Sequence, residues 1–99
     1  MFSSDGIKST AALPHGRLAY IPVTSNNSMF VQFVLENGTA DTRSGGGGLL
    51  ELATPDANYS YESGAVRYIG GGWLYVIGKR LPSSNVANAE IMIYKVSIN

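Results

Sequence analysis

The stretch "SMFVQFVLENGT", Ser28 to Thr39, decides the fold class. Its apolar residues recur at every second position. Met29, Val31, Phe33 and Leu35 share one face, with Phe30, Gln32, Val34 and Glu36 on the other. A period of two belongs to a pleated strand, whose successive side chains point to opposite faces. One wholly apolar face and one mixed face predict a strand in the middle of a sandwich. Asn37-Gly38 follows at once. It is the strongest short hairpin signal, because both central positions of a type I′ turn need positive φ.

The same grammar continues outward. Upstream, "TSNNS" (24–28) is a turn cluster and "RLAYIPV" (17–23) is rich in strand formers. Pro22 cannot donate to a ladder, which predicts an edge strand or a strand end there. The first sixteen residues, "MFSSDGIKSTAALPHG", show no sustained period and close on the turn signal Pro14-His15-Gly16. They are expected to be an N-terminal arm ahead of one β-sandwich domain over 17–99. Downstream, "LLELA" (49–53) fits a strand or one helical turn. "TPDANYSYES" holds a Pro-Asp turn that leads Tyr59 and Tyr61 onto one strand face. "GAVRYIGGGWLYVIGKR" (64–80) predicts two strands, Ala65–Ile69 and Trp73–Lys79, joined by Gly70-Gly71-Gly72. After the loop "LPSSNVANA", the segment "EIMIYKVSIN" closes the chain as a strand, with Ile91 and Ile93 opposite Met92, Tyr94, Val96 and Ile98. No helical period competes anywhere. The expected fold is all-β: a small antiparallel β-sandwich or barrel, jelly-roll-like, of about six to eight short strands.

Composition narrows the function. The 99 residues are 44% hydrophobic with ten aromatics, which suits one folded domain. Only 14% are charged, and seven basic residues cancel seven acidic ones. A nucleic-acid partner is not expected, since no cluster of Lys and Arg is present to displace phosphate counterions. A polar but uncharged surface of Ser, Thr, Asn and Gly suits sugars or protein partners, and a neutral chain associates readily with itself. The absence of cysteine removes disulfides, thiolate catalysis and the common zinc frameworks. Asn26, Asn37 and Asn58 match the N-glycosylation pattern, but "MFSSDGIKST" has neither the basic start nor the apolar core of a secretory signal. The matches are read as accidents of a turn-rich chain. No apolar run approaches the ~20 residues of a membrane-spanning helix, so no membrane insertion is expected.

Four stretches of the chain offer candidate chemistry. In "DTRSGGGGLLEL" (41–52), a phosphate cradle would need a Lys-Ser/Thr pair and a following helix. Neither is there, and Ser44–Gly48 reads as a mobile connection that packs nothing. His15 is the single histidine and has no second ligand to hold a metal with; it is expected to be exposed in its turn. The acids Asp5, Glu36, Asp41, Glu51, Asp56, Glu62 and Glu90 are scattered, with no pair set for glycoside hydrolysis. No enzyme, cofactor or metal is expected.

What remains is aromatic. Trp73 begins a strand directly after a glycine turn, with Tyr75 on its face; it can fill the core, join subunits or form a ligand platform. Asp56, Asn58, Tyr59 and Tyr61 combine carboxylate, amide and rings on one connection, the groups that hold sugar hydroxyls. A well-made turn beside the core is the plainer reading. The candidate carbohydrate-binding set is therefore Trp73, Tyr59, Tyr61, Asp56 and Asn58.

With "SMFVQFVLENGT", "RYIGGGWLYVIGKR" and "EIMIYKVSIN", the region from Arg17 to Asn99 resembles in texture the distal head of a bacteriophage tail fibre or receptor-binding protein. The resemblance implies a non-catalytic head that trimerises and binds cell-surface saccharide. It also implies a place at the tail or fibre tip of a virion assembled in the host cytoplasm. Two alternatives stand beside it: a purely structural virion or assembly module (fibre, baseplate or decoration domain), and a cellular all-β interaction domain.

Overall fold

Met29, Val31 and Phe33 have no exposed surface, and the strand that carries them sits inside a sheet as its alternation requires. The computed structural model describes residues 7–22, 28–43, 46–84 and 86–98. Seven strands run through them: β1 (Ile7–Ala12), β2 (Leu18–Pro22), β3 (Met29–Val34), β4 (Leu49–Ala53), β5 (Tyr59–Gly70), β6 (Trp73–Pro82) and β7 (Glu90–Ser97). They form two antiparallel sheets, β1-β2-β3-β4 and β5-β6-β7.

The all-β sandwich expected from periodicity is thus the fold. Its connectivity is two successive meanders rather than a jelly roll, because every connection within a sheet joins strands that are neighbours in that sheet. The tightest is at Gly71-Gly72, where φ is +64° and +83°. Both residues of a type I′ turn need that left-handed backbone, which glycine adopts without strain.

Residues 7–12 depart from the expected arm. They form β1, paired with β2 from Ile7↔Pro22 to Ala12↔Leu18, and Pro14-His15-Gly16 is the turn between the two strands. "IKSTAA" shows no hydrophobic period because its inward residues are small. Ala11 packs against the core, and the Ser9 hydroxyl oxygen accepts the Val66 N–H of β5 at 3.1 Å. Residues 1–6 of the arm lie outside the described residues. β2 is not an edge strand. Its Pro22 stands at the strand end, where a missing donor breaks no ladder.

β3 ends at Val34, one residue before the fourth apolar position. The Leu35 N–H donates to Thr39 O, and the Gly38 N–H returns to Leu35 O, so a turn forms where the sequence predicts one but not of type I′. Glu36 and Asn37 are its central residues, and Gly38 (φ +87°) follows them as the positive-φ residue. The hairpin then breaks off. The Asp41 N–H bonds back to Phe33 O, and the chain leaves the sheet before returning as β4 beside β3. "LLELA" is a strand, not a helical turn.

The core lies between the sheets. Ala19, Ile21, Met29, Val31 and Phe33 from the first meet Val66, Leu74 and Val76 from the second, with Leu13 and Ile98 at the margin. On β7, Met92, Tyr94 and Val96 pack inward while Ile91 and Ile93 face out. No helix among the described residues is long and apolar enough to cross a membrane.

Candidate functional site

All five sequence-selected residues lie on or just before the β5–β6 hairpin, but at opposite ends of it. Tyr59 pairs with Pro82 at one end, and Trp73 pairs with Gly70 at the other. Nine residue steps along β6 take the chain from Trp73 to Pro82, a span of ~30 Å at the rise of a strand. One ligand does not bridge them.

At the first end, Asp56 builds the turn. One carboxylate oxygen accepts the N–H of Asn58 at 2.7 Å and of Tyr59 at 2.8 Å, while the Asp56 N–H donates to Tyr59 O. This is the local side-chain competition that makes Asp a turn former. Asp56 therefore holds the strand entry. Tyr61 is half-buried and packs against the core. Tyr59, two residues earlier on the same inward face, lies under the Arg80 guanidinium, 4.1 Å from the ring centroid. Arg80 is held there by Glu90, whose carboxylate oxygen accepts from its Nη2 at 2.8 Å. Next to this stack is a cleft of about 480 Å³ lined by Ala57, Asn58, Tyr59, Pro82, Ser83 and Ser84. The Ser83 N–H donates to Asn58 O and ties its two walls together. Sequence reading missed Arg80, Ser83 and Ser84. Nothing in "KRLPSSN" marks them until the hairpin register brings them opposite Asn58 and Tyr59.

At the other end, Trp73 is not in the core. It faces outward and is 40% exposed, with Lys95 Nζ over its ring at 4.5 Å. The cation covers one face of the indole, a contact worth about 0.5–1 kcal/mol at an exposed site.

A third cluster was not foreseen. Asp41 is 2% exposed and receives Arg17 Nε at 2.7 Å, while Arg43 Nε approaches its other oxygen at 2.9 Å. Arg17 also donates to Ile98 O at 2.7 Å and so ties the β1–β2 turn to the end of β7. The hydrogen bonds from Arg43, then those and the charge of Arg17, outweigh burial and hold the Asp41 carboxyl far below the usual carboxylate range. The cluster borders a cleft of about 460 Å³ lined by His15, Arg17, Leu35, Glu36, Asn37 and Arg43. His15 is exposed, as expected, and holds φ at +65°, a conformation in which His is several-fold enriched among non-glycine residues. Each guanidinium faces a carboxylate already, which makes this a staple between distant segments.

The glycine run is partly ordered by contact. Ser44 and Gly45 lie outside the described residues. Gly48, at φ +78°, is buried, and a Cβ there would stand 2.6 Å from both Phe33 O and Gln32 Nε2. Gln32 Nε2 in turn donates to Gly47 O at 3.0 Å. The reading that these glycines pack nothing is corrected at this point: absence of a side chain is what lets the turn lie on β3. Among the described residues no three His, Asp or Glu side chains gather as a metal site. No family model, curated protein or solved structure matches the chain.

Proposed function

We propose that the domain is a non-catalytic recognition module of the phage-fibre-head type, carried on a virion, that holds a cell-surface saccharide in the cleft beside Tyr59. The observation that supports it is the cleft itself. Its volume falls in the range of small-ligand sites, ~300–1,000 Å³. It combines the Asn58 amide, two serine hydroxyls and a tyrosine ring already oriented by Arg80. Those groups suit neutral hydroxyls and need no net charge. Asp56 shapes this site without touching the ligand, and Trp73 stands outside it. Copies of the domain associate, so that weak single sites gain by clustering.

Titration of host-surface saccharides followed by calorimetry tests the reading. Single-site affinity is expected at roughly millimolar to high micromolar, about −4 to −6 kcal/mol. Tyr59→Ala is expected to weaken binding tenfold or more, while Trp73→Ala leaves it unchanged. The reverse pattern sinks the Tyr59 site. Absence of any saccharide binding favours the second reading, a purely structural assembly module. That reading has its own support in the bare apolar outer face of β7, where Ile91 is 78% and Ile93 61% exposed.

A further inference from the structure

The two outer strands of the β5-β6-β7 sheet are guarded unequally. On β5, the edge-facing N–H of Val66 is taken by Ser9 of β1. β7 has no such cover among the described residues, where no strand pairs with it on its far side. Its register with β6 runs unbroken from Trp73↔Ser97 to Arg80↔Glu90, and the Ile98 N–H donates to Gly72 O. Hydrogen-bonded and non-bonded pairs alternate in an antiparallel ladder. Even-numbered residues of β7 therefore bond to β6, while Ile91, Ile93 and Lys95 turn their N–H and C=O toward the free edge. The same isoleucines present their side chains on the outer face. Beside them runs a shallow apolar groove of about 270 Å³ that includes Ala65, Ile77 and Ile91. Natural sheets blunt exposed edges with proline, bulges or central charges; β7 has no proline, no register shift and one lysine near its end.

We infer that β7 pairs with β7 of a second copy, antiparallel about a two-fold axis, to make one continuous six-stranded sheet. The match is written in the strand. With Met92 opposite Met92 of the second copy, Ile91 of each meets Ile93 of the other as hydrogen-bonded pairs. Four isoleucines then form one patch, extended on both sides by Ile77 and Ala65, which already stand in line with Ile93. Charges fall clear of one another. Lys95 comes opposite Ala89, and Lys79 keeps its own Glu62 at 4.0 Å. No like charges are directly opposed, and the zero net charge of the chain sets up no long-range repulsion between copies. Main-chain pairing and side-chain pockets thus act together, as in other strand additions.

This rests on the self-association in the functional reading above, and it sets the number of copies at two rather than the expected three, since an isologous edge pair closes on itself. Light scattering of the intact chain from roughly ten to several hundred micromolar, where weak symmetric pairs assemble, should give a dimer mass. Ile93→Lys should give a monomer with unchanged circular dichroism. The chain has no cysteine, so Met92→Cys supplies a single thiol. Under mild oxidation it should yield a disulfide-linked dimer, whereas Ala57→Cys at the far end should not. A monomeric or trimeric wild type, an Ile93→Lys variant of undiminished mass, or equal cross-linking of both thiol variants overturns the pairing. Saccharide titration of Ile93→Lys keeps the two readings apart: the Tyr59 cleft should bind one sugar per monomer at unchanged affinity, whatever the mass.

Discussion

The two sheets are built from similar residues and finished differently. The first is filled on its inner face and covered over part of its outer face. Ala19, Ile21, Met29, Val31 and Phe33 fill its inner face, while on its outer face Tyr20 is buried and the Gly46–Gly48 turn lies over Gln32. The second sheet is closed on one side only. Leu74 and Val76 are fully buried, yet Trp73, Ile91 and Ile93 of the same sheet stand in solvent. A chain of this size has surface to spare for burial in one core only. Hydrophobic residues left outside that core in a contiguous patch mark where something else binds.

The contrast can be broken most severely from the core. Phe33→Ala removes a fully buried ring from the first sheet and is expected to cost about 3–5 kcal/mol by denaturant unfolding. A change under about 1 kcal/mol would mean that the strand's buried face is misassigned. Next is Asp41→Asn. It leaves the buried Arg17 without its carboxylate, and removal of one partner from such a pair costs about 3 kcal/mol. The same residue makes an acid-stability test. Its carboxyl is depressed in the folded chain, against about 3.9 when unfolded. Below pH ~4 the unfolded state takes up a proton that the folded state refuses, so stability falls with pH there and is level for this group above it. Asp41→Asn should lack that acid slope; an identical slope would show that other carboxylates set it.

Smaller effects sharpen the comparison. Gly48→Ala should destabilise by more than about 1 kcal/mol, because the added Cβ meets Phe33 O and the φ is positive. Gly47→Ala, at φ +65° but with open space around it, should cost less, and equal costs would deny the close approach to β3. Smallest of all, Ile91→Lys should change the unfolding free energy of the monomer by under about 0.5 kcal/mol, the usual range for an exposed position. A larger loss at low micromolar concentration would mean that this isoleucine packs within its own chain.

Much of the fold was legible because it is local. Alternation at 29–35 marked the buried face of β3, and the glycines after Ile69 marked the tight β5–β6 turn. β1 was illegible for a local reason as well. Its inward residues, Ser9 and Ala11, are too small to print a hydrophobic period, and its role as cover for the β5 edge exists only once Ser9 meets Val66. The candidate site was half legible. Ring and amide residues before β5 were visible in "PDANYSY", but their partners Arg80, Ser83 and Ser84 arrive from more than twenty residues downstream through the register. Trp73 misled for the opposite reason: its position after a turn allowed core, interface and platform alike, and only the parity of β6 points it outward.

By itself the sequence determined what depends on neighbours along the chain: strand period, turn positions, an all-β class, and chemistry without cysteine or a basic patch. Tertiary structure alone decided which strands pair and which edge is left open. It also decided that Arg17, Asp41 and Ile98 form one staple, and that Tyr59 and Trp73 belong to different places. Those outcomes rest on contacts between residues far apart in sequence, up to eighty-one positions for Arg17 and Ile98. No pattern along the chain encodes such a contact, because its energy exists only when folding brings the two groups together and takes them out of water.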